Sequence, residues 1–538
     1  MRRWWVWVAL AVVWFATAGW RPLLEPDEGR YAEIPREMSV SGDWVTPRLN
    51  GVKYFEKPAL QYWATAALYD VFGVREWTAR FFSCLLAFLC IPLTYAFANH
   101  LYRSTAIAGA AAAAIALNPF FLIVGQIDIL DSALTFFLVA SMFAFLRARA
   151  AARAAAHAAE DGSREERWWM GLTALCLALA VLTKGIVALV LAGAALVIHM
   201  VVTRDVRPLR RWHLGTTVPL FLVVTLPWFV VVSRRNPEFL QFFFIHEHFQ
   251  RYLTNVSDRV EPWWYFGMFL LLAVLPWLRN VWPAVRDVWR KGRHDPENSI
   301  AWFLLIWCGV VFVFFSVSHS KLPPYILPMM PPLAVLLAPR IAERPAFLRQ
   351  AAWTACAFVT LVAVGLLVAV HRKVGAAPQV MVVWSTVAVI VAVAAAIVSL
   401  RTTRWVPAAM GSIFAYQALM LSYSALPPGR TAKALVEAIR PLVGPNTQIF
   451  SVNQYRQSVP PYLGRTMRLV MYRGEMEFGL SQDQAGFVPT LDAFIEEWVR
   501  STDAVAFIDP DIWGEINARH LPMHVRGSDG RSFVVSRQ

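Results

Sequence analysis

Long apolar runs constrain this chain more than any other feature of its sequence. A helix needs about 20 mostly apolar residues to cross roughly 30 Å of hydrocarbon, and runs of that length follow one another through residues 4–425. The chain is 57% hydrophobic and 16% charged over 538 residues, whereas a soluble domain carries about 25% charged residues. The sequence therefore predicts a polytopic α-helical membrane protein.

We predict about thirteen transmembrane helices in this part of the chain. They lie near residues 4–24, 80–99, 105–125, 127–146, 168–183, 186–203, 213–233, 263–283, 301–318, 323–339, 350–370, 379–400 and 404–425. The first run lacks a clear small-residue cleavage site, so we expect it to be retained rather than removed as a signal peptide. The segment 58–73 is shorter and contains Gln61 and Asp70, and we interpret it as an amphipathic helix along the membrane interface.

Arginine and lysine residues collect in short segments between the apolar runs, which indicates loops on the cytoplasmic side. These residues are Arg2, Arg3, Arg147, Arg149, Arg153, Arg204, Arg207, Arg210, Arg211, Arg286, Arg290, Lys291, Arg293, Arg340, Arg344, Arg349, Arg401 and Arg404. Basic patches also bind nucleic acids, but each of these is wedged between spans, so we expect no nucleic-acid partner. With the N-terminus inside, the segments that face outward are 25–79, 126–128, 184–185, 234–262 and 318–325.

The composition changes after Leu426, where Pro427, Pro428 and Gly429 break the helical pattern. Strand-like and helical patterns then alternate, which is typical of a small α/β domain. The strand-like runs are 448–452, 468–472, 504–508 and 532–535, and the helical patterns are 432–442 and 491–499. We therefore predict a transmembrane domain over 1–426, with an outward amphipathic loop at 25–79, and a soluble domain over 427–538 on the outer side.

The outward segments contain an unusual share of the ionisable residues. Asp27 and Glu28 directly follow the first span, and paired carboxylates there can hold a metal, act as a base or bind a cationic group. They can equally belong to a solvated loop that caps a helix starting at Gly29. Lys57 lies among aromatic residues, which suits a lipid-linked phosphate at headgroup depth, although interfacial lysines also snorkel without a ligand.

Other outward segments contribute further candidates. Asp128 and Asp131 are three residues apart at the outer end of a span, where carboxylates are costly unless paired or functional, and on a helix both can face one cavity. Arg251 can hold a phosphate through two hydrogen bonds. Lys321 and Tyr325 form a further cationic and aromatic pair at the outer edge. The segments that contain Arg251, Lys321 and Tyr325 are also compatible with solvated loops.

Several chemistries lack their motifs in this sequence. There is no glycine-rich phosphate loop and no nucleophile elbow, and His246 and His248 do not have the spacing of the His-Glu-x-x-His zinc motif. Because nucleotide sugars are scarce outside the cytoplasm, a transferase acting there needs a membrane-borne donor. A polyprenyl phosphate sugar meets that requirement.

The outward segments also resemble a known family in order and spacing. The matching stretches are Asp27–Met38, Gly42–Val45, Tyr54–Pro58, Leu130–Asp131, Thr183–Gly185, Glu247–His248 with Arg251, Ser320–Pro323 with Tyr325, Gln457–Arg465 and Gly474–Gly479. Together they resemble the bacterial 4-amino-4-deoxy-L-arabinose lipid A transferases. That family belongs to the GT-C membrane glycosyltransferases, together with the protein O-mannosyltransferases.

The resemblance implies a reaction between two lipids on the periplasmic side of the bacterial inner membrane. The donor is undecaprenyl phosphate carrying aminoarabinose, and the acceptor is a phosphate of lipid A. The family inverts the anomeric carbon by direct displacement. A phosphate acceptor is already ionised near neutral pH, so positioning and electrostatics carry the catalysis. A cationic sugar on lipid A implies resistance to cationic peptides such as polymyxin.

The resemblance also suggests roles for individual residues. Lys57 and Arg251 are expected to bind the donor phosphate, with Lys321 and Tyr325 in support. Asp27 is expected to orient the acceptor or to stabilise positive charge that develops on the sugar.

Carboxylates are the expected partners of the sugar's ammonium group, and the candidates are Asp131, Glu28 and Asp128. The predicted catalytic residues are Asp27, Glu28, Asp131 and Lys57. A divalent cation is the one cofactor predicted, with Glu56 and His248 as its ligands.

Two alternatives remain open from the sequence. A relative could use another polyprenyl phosphate sugar, for example to mannosylate proteins, and a hydroxyl acceptor would then need Asp27 as a base. A transporter of a lipid-linked sugar belongs to a different class, and it is expected to show midplane charges or repeated, broken helices. The charges of this chain gather instead at the outer interface, which favours the transferase.

Overall fold

Most of the chain forms a bundle of apolar helices. The computed structural model describes residues 4–158, 163–204, 212–250, 261–293, 298–344, 346–402 and 404–537. Within these ranges, eight helices are long and apolar enough to cross a membrane, which confirms the predicted polytopic class. The helices of the bundle are Trp4–Phe15, Glu76–Tyr102, Thr105–Ala116, Pro119–Val124, Leu130–Ala158, Ser163–Lys184, Val187–Thr203, Leu214–Arg235, Tyr265–Val274, Leu278–Lys291, Ser299–Val317, Met330–Ala342, Ala346–Val374, Gln379–Arg401 and Trp405–Ser424.

Some predicted spans are broken by proline. The run 105–125 is two helices, because Pro119 begins the second one and the Asn118 side chain accepts a hydrogen bond from the N–H of Phe121 at 3.0 Å. Proline fits the first turn of a helix but lacks the N–H that a continuing helix needs. The run 323–339 likewise begins as the 3₁₀ helix Pro323–Met329 before it becomes α-helical.

The outer loop between the first two bundle helices is itself structured. Helix Asp27–Ser41 is followed by a short antiparallel hairpin, β1 (Arg48–Leu49) and β2 (Val52–Lys53), and then by helix Leu60–Phe72. The last of these is the segment that we interpret as interfacial. It buries a polar and aromatic face that includes Gln61, Tyr62 and Tyr69, whereas Val71 and Phe72 at its end are exposed.

The C-terminal part is an α/β domain built on one sheet. Its strands are β3 (Gln448–Val452), β4 (Arg468–Val470), β5 (Phe487–Val488), β6 (Ala504–Ile508), β7 (His524–Ser528) and β8 (Phe533–Ser536). They are ordered β5-β4-β3-β6-β8-β7, parallel from β5 to β6 and antiparallel from there on. The helices are Lys433–Ile439, Val459–Leu463, Glu477–Gln482, Leu491–Arg500 and Pro510–Ala518. The four predicted strands are confirmed. The sequence missed β5, which has only two residues, and β7, which is mostly exposed.

This sheet domain packs directly on the outer loop. The backbone of Gln457 comes so close to helix Asp27–Ser41 that a Cβ on Gly29 would lie 2.5 Å from its carbonyl carbon. Asn50 exchanges two hydrogen bonds with the backbone of Met467, at 2.7 and 2.8 Å. Gly479 lies against the carbonyl of Lys53, since a Cβ there would come within 2.6 Å of the oxygen. The outer loop is thus enclosed between the bundle and the sheet domain.

Candidate active site

Asp27 is an accessible carboxylate at the start of a helix of the outer loop. It is the first residue of helix Asp27–Ser41, where the positive end of the helix dipole stabilises a negative charge. Arg30, one turn later, donates a hydrogen bond from Nη1 to Asp27 Oδ1 at 2.9 Å. The Asp27 side chain is nevertheless 37% exposed, whereas that of Arg30 is 6% exposed. Asp27 is therefore both held in place and open to a ligand.

Arg30 also joins this helix to the sheet domain. Its Nε donates to Oε2 of Glu475 at 2.6 Å, and Gln457 Nε2 donates to the other oxygen of Glu475 at 2.7 Å. Burial by itself lowers the pKa of the Arg30 guanidinium, but the neighbouring carboxylates of Glu475 and Asp27 raise it well above its usual value. The guanidinium is therefore permanently charged and bridges two carboxylates that lie far apart in the sequence.

Glu28 has a different environment from its neighbour Asp27. It is fully buried, and both of its oxygens accept hydrogen bonds from Arg21 at 2.6 and 2.8 Å and from Arg80 at 2.8 and 2.9 Å. The backbone N–H groups of Leu24 and Asp128 also donate to it. Burial favours its neutral form, but the two guanidiniums hold the pKa of Glu28 well below its usual range. Because its oxygens are fully engaged, we assign Glu28 to the framework rather than to the catalytic or sugar-binding set.

Lys57 lies beside two carboxylates. Its Nζ is 3.3 Å from Oε2 of Glu247 and 3.6 Å from Oε2 of Glu56, and it donates to the Glu56 carbonyl at 2.7 Å. Glu247 belongs to the π-helix Gln241–Gln250. Burial raises the pKa of the Tyr31 hydroxyl, and the negative charges of Asp27 and Glu56 raise it further; we therefore group Asp27 and Lys57 as one cluster around Tyr31.

A second cluster lies at the same end of the bundle. Lys184 Nζ donates to Asp131 Oδ1 at 2.5 Å, and its ammonium group is 4.3 Å from the centre of the Tyr325 ring. Lys321 donates to the carbonyl of Glu261 at 2.9 Å. Asp131 and Lys184 are only 9% and 11% exposed.

The two clusters adjoin through an apolar contact. Leu182, two residues before Lys184, packs in the same small core as Phe55 and Ala59, which flank the Lys57 segment. Phe55 and Phe242 in turn contact Phe478 of the sheet domain, with ring centres 5.9 and 3.9 Å apart.

Asp128 is buried beneath the site. Its Oδ1 accepts hydrogen bonds from Gln61 Nε2 at 2.9 Å and from Ser83 Oγ at 2.7 Å, while Oδ2 has no partner among the described residues. Burial raises the pKa of Asp128 to about 8; the Ser83 hydrogen bond opposes this rise and the negative Glu28 adds to it. Asp128 is therefore largely a neutral acid near pH 7, which does not suit it as a partner for an ammonium group.

Two predicted site positions fall on residues without a described side chain. Arg251 lies outside the described residues, and so does the side chain of His248. The described side chains contain no group of three that could hold a metal ion, and Glu56 instead lies beside Lys57. The divalent cation at Glu56 and His248 stays a prediction.

The structure adds four residues that the sequence analysis assigned no role: Arg30, Lys184, Glu247 and Glu475. All four fall within the stretches that carry the family resemblance. Arg30 also stands one helical turn after Asp27, and that spacing lets the two side chains meet. No spacing could have paired Arg30 with Glu475, which lies 445 positions further along the chain.

Two family models match the chain. Residues 6–243 match the family described as dolichyl-phosphate-mannose-protein mannosyltransferase. Residues 435–537 match the aminoarabinose transferase C-terminal domain.

Curated relatives are named as aminoarabinose transferases. An undecaprenyl phosphate-α-4-amino-4-deoxy-L-arabinose arabinosyl transferase of Shewanella sediminis is 34% identical over 65% of this chain and 62% of the relative. A protein of the same name from Pseudomonas aeruginosa is 35% identical over 59% of this chain and 56% of the relative. The chain thus spans about three fifths of the length of these relatives.

Solved structures match over nearly the full length of both chains. The crystal structure of ArnT from Cupriavidus metallidurans bound to undecaprenyl phosphate has a TM-score of 0.86 at 30% identity, and the match covers 100% of this chain and 99% of that one. The apo form of the same protein has a TM-score of 0.83, with coverage of 99% and 98%. These likenesses extend through both the bundle and the sheet domain, and the chain belongs to the ArnT family of GT-C membrane glycosyltransferases.

Proposed function

We propose that this protein transfers 4-amino-4-deoxy-L-arabinose from undecaprenyl phosphate to a phosphate of lipid A. The observation that carries the proposal is the full-length likeness to a structure that holds undecaprenyl phosphate. The names of the curated relatives supply the sugar. We place the reaction at the periplasmic face of the inner membrane, because the arginine-rich loops favour the opposite, cytoplasmic side.

The charges of the site support a substrate that is both anionic and cationic. Lys57, Lys184 and Lys321 can approach the oxygens of a phosphate, which is a compact anion. The described residues of the two clusters also include carboxylates. These are Asp27, Glu56, Asp131, Glu247 and Glu475, and the cations beside them are Arg30, Lys57, Lys184 and Lys321. Carboxylates of this kind can accept hydrogen bonds from the ammonium group of an amino sugar.

The proposed step is a direct displacement at the anomeric carbon. An oxygen of the lipid A phosphate attacks this carbon and forms the new bond, while the bond to the undecaprenyl phosphate oxygen breaks and that phosphate leaves with the electron pair. No proton has to be removed, because the attacking phosphate is already an anion. Lys57 and Lys321, with Tyr325 beside Lys184, stabilise the leaving phosphate by charge, and the accessible Asp27 faces the positive charge that develops on the sugar.

Mass spectrometry of lipid A tests this function. A polymyxin-sensitive, transferase-null strain would express the wild-type chain, Asp27→Ala or Lys57→Ala at equal levels. We expect lipid A to gain the mass of aminoarabinose with the wild type. Each variant should reduce the amount of modified lipid A at least about 100-fold, since each removes a positioned charge.

The same assay includes a control variant and results that would refute the proposal. Arg290→Gln, an exposed change at the other end of the bundle, should leave the product unchanged. A folded wild-type protein that adds no aminoarabinose would refute the assigned sugar, and a mannosylated protein product would favour the alternative suggested by the first family model. Product formation that survives Lys57→Ala would refute its phosphate-binding role.

A further inference from the structure

A separate apolar cavity lies between four helices of the bundle. It has a volume of about 300 Å³ and lies between helices Leu130–Ala158, Ser163–Lys184, Val187–Thr203 and Leu214–Arg235. Nearly all of its lining is apolar, including Met170, Leu177 and Phe221. We call this space the inner-end cavity.

The inner end of this cavity lies far from the candidate active site. Arg149, which lines a pocket next to it, is eighteen residues after Asp131 on one continuous helix. At 1.5 Å per residue these positions are about 27 Å apart along the helix axis, which is close to the roughly 30 Å thickness of the hydrocarbon core. That end is therefore near the opposite membrane surface from Asp131 and Lys184, and the cavity extends from there toward Leu177 and Leu189, which lie seven and five residues from Lys184.

A small basic pocket of about 40 Å³ adjoins the cavity. Arg149, Arg153 and His199 line this pocket, and the side chains of Phe145 and Leu196 line both spaces. One wall thus separates a cationic pocket from an apolar one.

We propose that the basic pocket and the inner-end cavity together bind an anionic phospholipid of the cytoplasmic leaflet. The guanidinium groups of Arg149 and Arg153 complement a phosphate headgroup, and basic pockets between helices on this side are where such headgroups bind. The cavity accommodates an acyl chain. Most of helix Leu214–Arg235, which lines the cavity, is not covered by other parts of the protein. A lipid can therefore enter from the bilayer beside this helix. The proposal does not rest on the function proposed for the sugar-transfer site.

Lipid binding to the purified full-length protein in detergent tests this proposal. Native mass spectrometry would compare cardiolipin, phosphatidylglycerol and phosphatidylcholine as added lipids. We expect the anionic lipids to bind the wild type at least about tenfold more tightly than phosphatidylcholine, and Arg149→Gln/Arg153→Gln to abolish that preference. The double variant Arg290→Gln/Arg401→Gln makes the same charge change at two exposed positions and should retain it.

A second variant tests the apolar half without altering charge. Gly193 lines the cavity, and a Cβ at this position meets no atom within 4 Å, so Gly193→Phe fills the space without a clash at its first atom. We expect it to reduce anionic lipid binding at least about fivefold while the protein stays monodisperse. Equal binding of all three lipids, or full anionic binding by Gly193→Phe, would overturn the proposal. If the arginine variant does not fold, the Gly193→Phe result decides alone.

Discussion

Single residues of the outer loop have roles that their sequence neighbours do not reveal. Asp27 and Glu28 are adjacent, yet one is exposed and the other is fully engaged by Arg21 and Arg80. Those arginines come from the end of the first apolar run and from the first turns of helix Glu76–Tyr102. The sequence could identify the acidic pair but not which member is accessible to a ligand, because the answer depends on contacts across the fold.

Asp128 provides a prediction about pH. Its pKa is raised from an ordinary value of 3.8 to about 8, so between these values the folded state binds a proton that the unfolded state has lost. The stability that this proton contributes is complete below pH 3.8 and is lost as pH rises through about 8. Asp128→Asn cannot lose a proton, so we expect its melting temperature to increase relative to that of the wild type between pH 6 and pH 9.

Thermal unfolding of the detergent-solubilised protein at each pH measures this difference. As a control, Asp128→Ala loses the contacts to Gln61 and Ser83 and should be less stable than Asp128→Asn at every pH by about 1–3 kcal/mol. Melting curves of wild type and Asp128→Asn that shift in parallel across the range would contradict a neutral Asp128.

At the scale of elements, the length and hydropathy of the apolar runs were sufficient to predict the spans but not the points at which a helix is interrupted. The run 105–125 is apolar throughout, yet Asn118 and Pro119 divide it into two helices. The sheet shows the same limit. Strands β3 and β6 have the buried, β-branched composition that predicts a strand, whereas β5 is defined by its pairing with β4 rather than by its own two residues.

The packing of helix Asp27–Ser41 on the sheet domain leads to a prediction about Gly29. A Cβ at this position would lie 2.5 Å from a backbone carbon of Gln457, and backbone cannot move aside as a flexible side chain does. We expect Gly29→Ala to lower the unfolding free energy by about 1–3 kcal/mol, the usual cost of overpacking, as measured by thermal unfolding. Gly365→Ala is the matched control, since its Cβ meets no atom within 4 Å; equal stability of the two variants would show that this interface is loose.

At the scale of the whole molecule, the sheet domain holds the outer loop in its working position. Arg456 of this domain donates to Glu25 at 2.7 Å and to Asp529 at 2.9 Å, and Ser458 Oγ donates to Glu25 at 2.7 Å. Together with Arg30 and Glu475, these contacts flank Asp27 on both sides. The sequence predicted the domain and its strands, but contacts between residues more than 400 positions apart could not be derived from local patterns.

A substitution at Glu475 tests whether this positioning of Asp27 matters for catalysis. Glu475→Gln keeps the shape but removes the charge that holds Arg30, so we expect Asp27 to be misplaced and kcat to fall about 10- to 100-fold, since small errors of position cost that much. KM for the lipid-linked donor should change little, because Lys57 is untouched. A steady-state assay with purified protein and both lipids gives the two constants.

The neighbouring Glu477 is the matched control for this variant. Its pair with Arg473 is about half exposed, and such surface pairs contribute about 0–1 kcal/mol, so Glu477→Gln should retain activity. If Glu475→Gln has the kcat of the wild type, the sheet domain does not act through Arg30.

The enclosure of the outer loop also constrains what can reach the site. The sheet domain covers the loop from the aqueous side, where Phe478, Gly479 and Gln457 lie against Phe55, Lys53 and Gly29. These residues obstruct molecules that approach from water, whereas lipids can approach within the bilayer plane. An effective inhibitor of this protein should therefore be an amphiphile that partitions into the membrane first and then diffuses laterally, so that its potency follows its concentration in the bilayer rather than in solution.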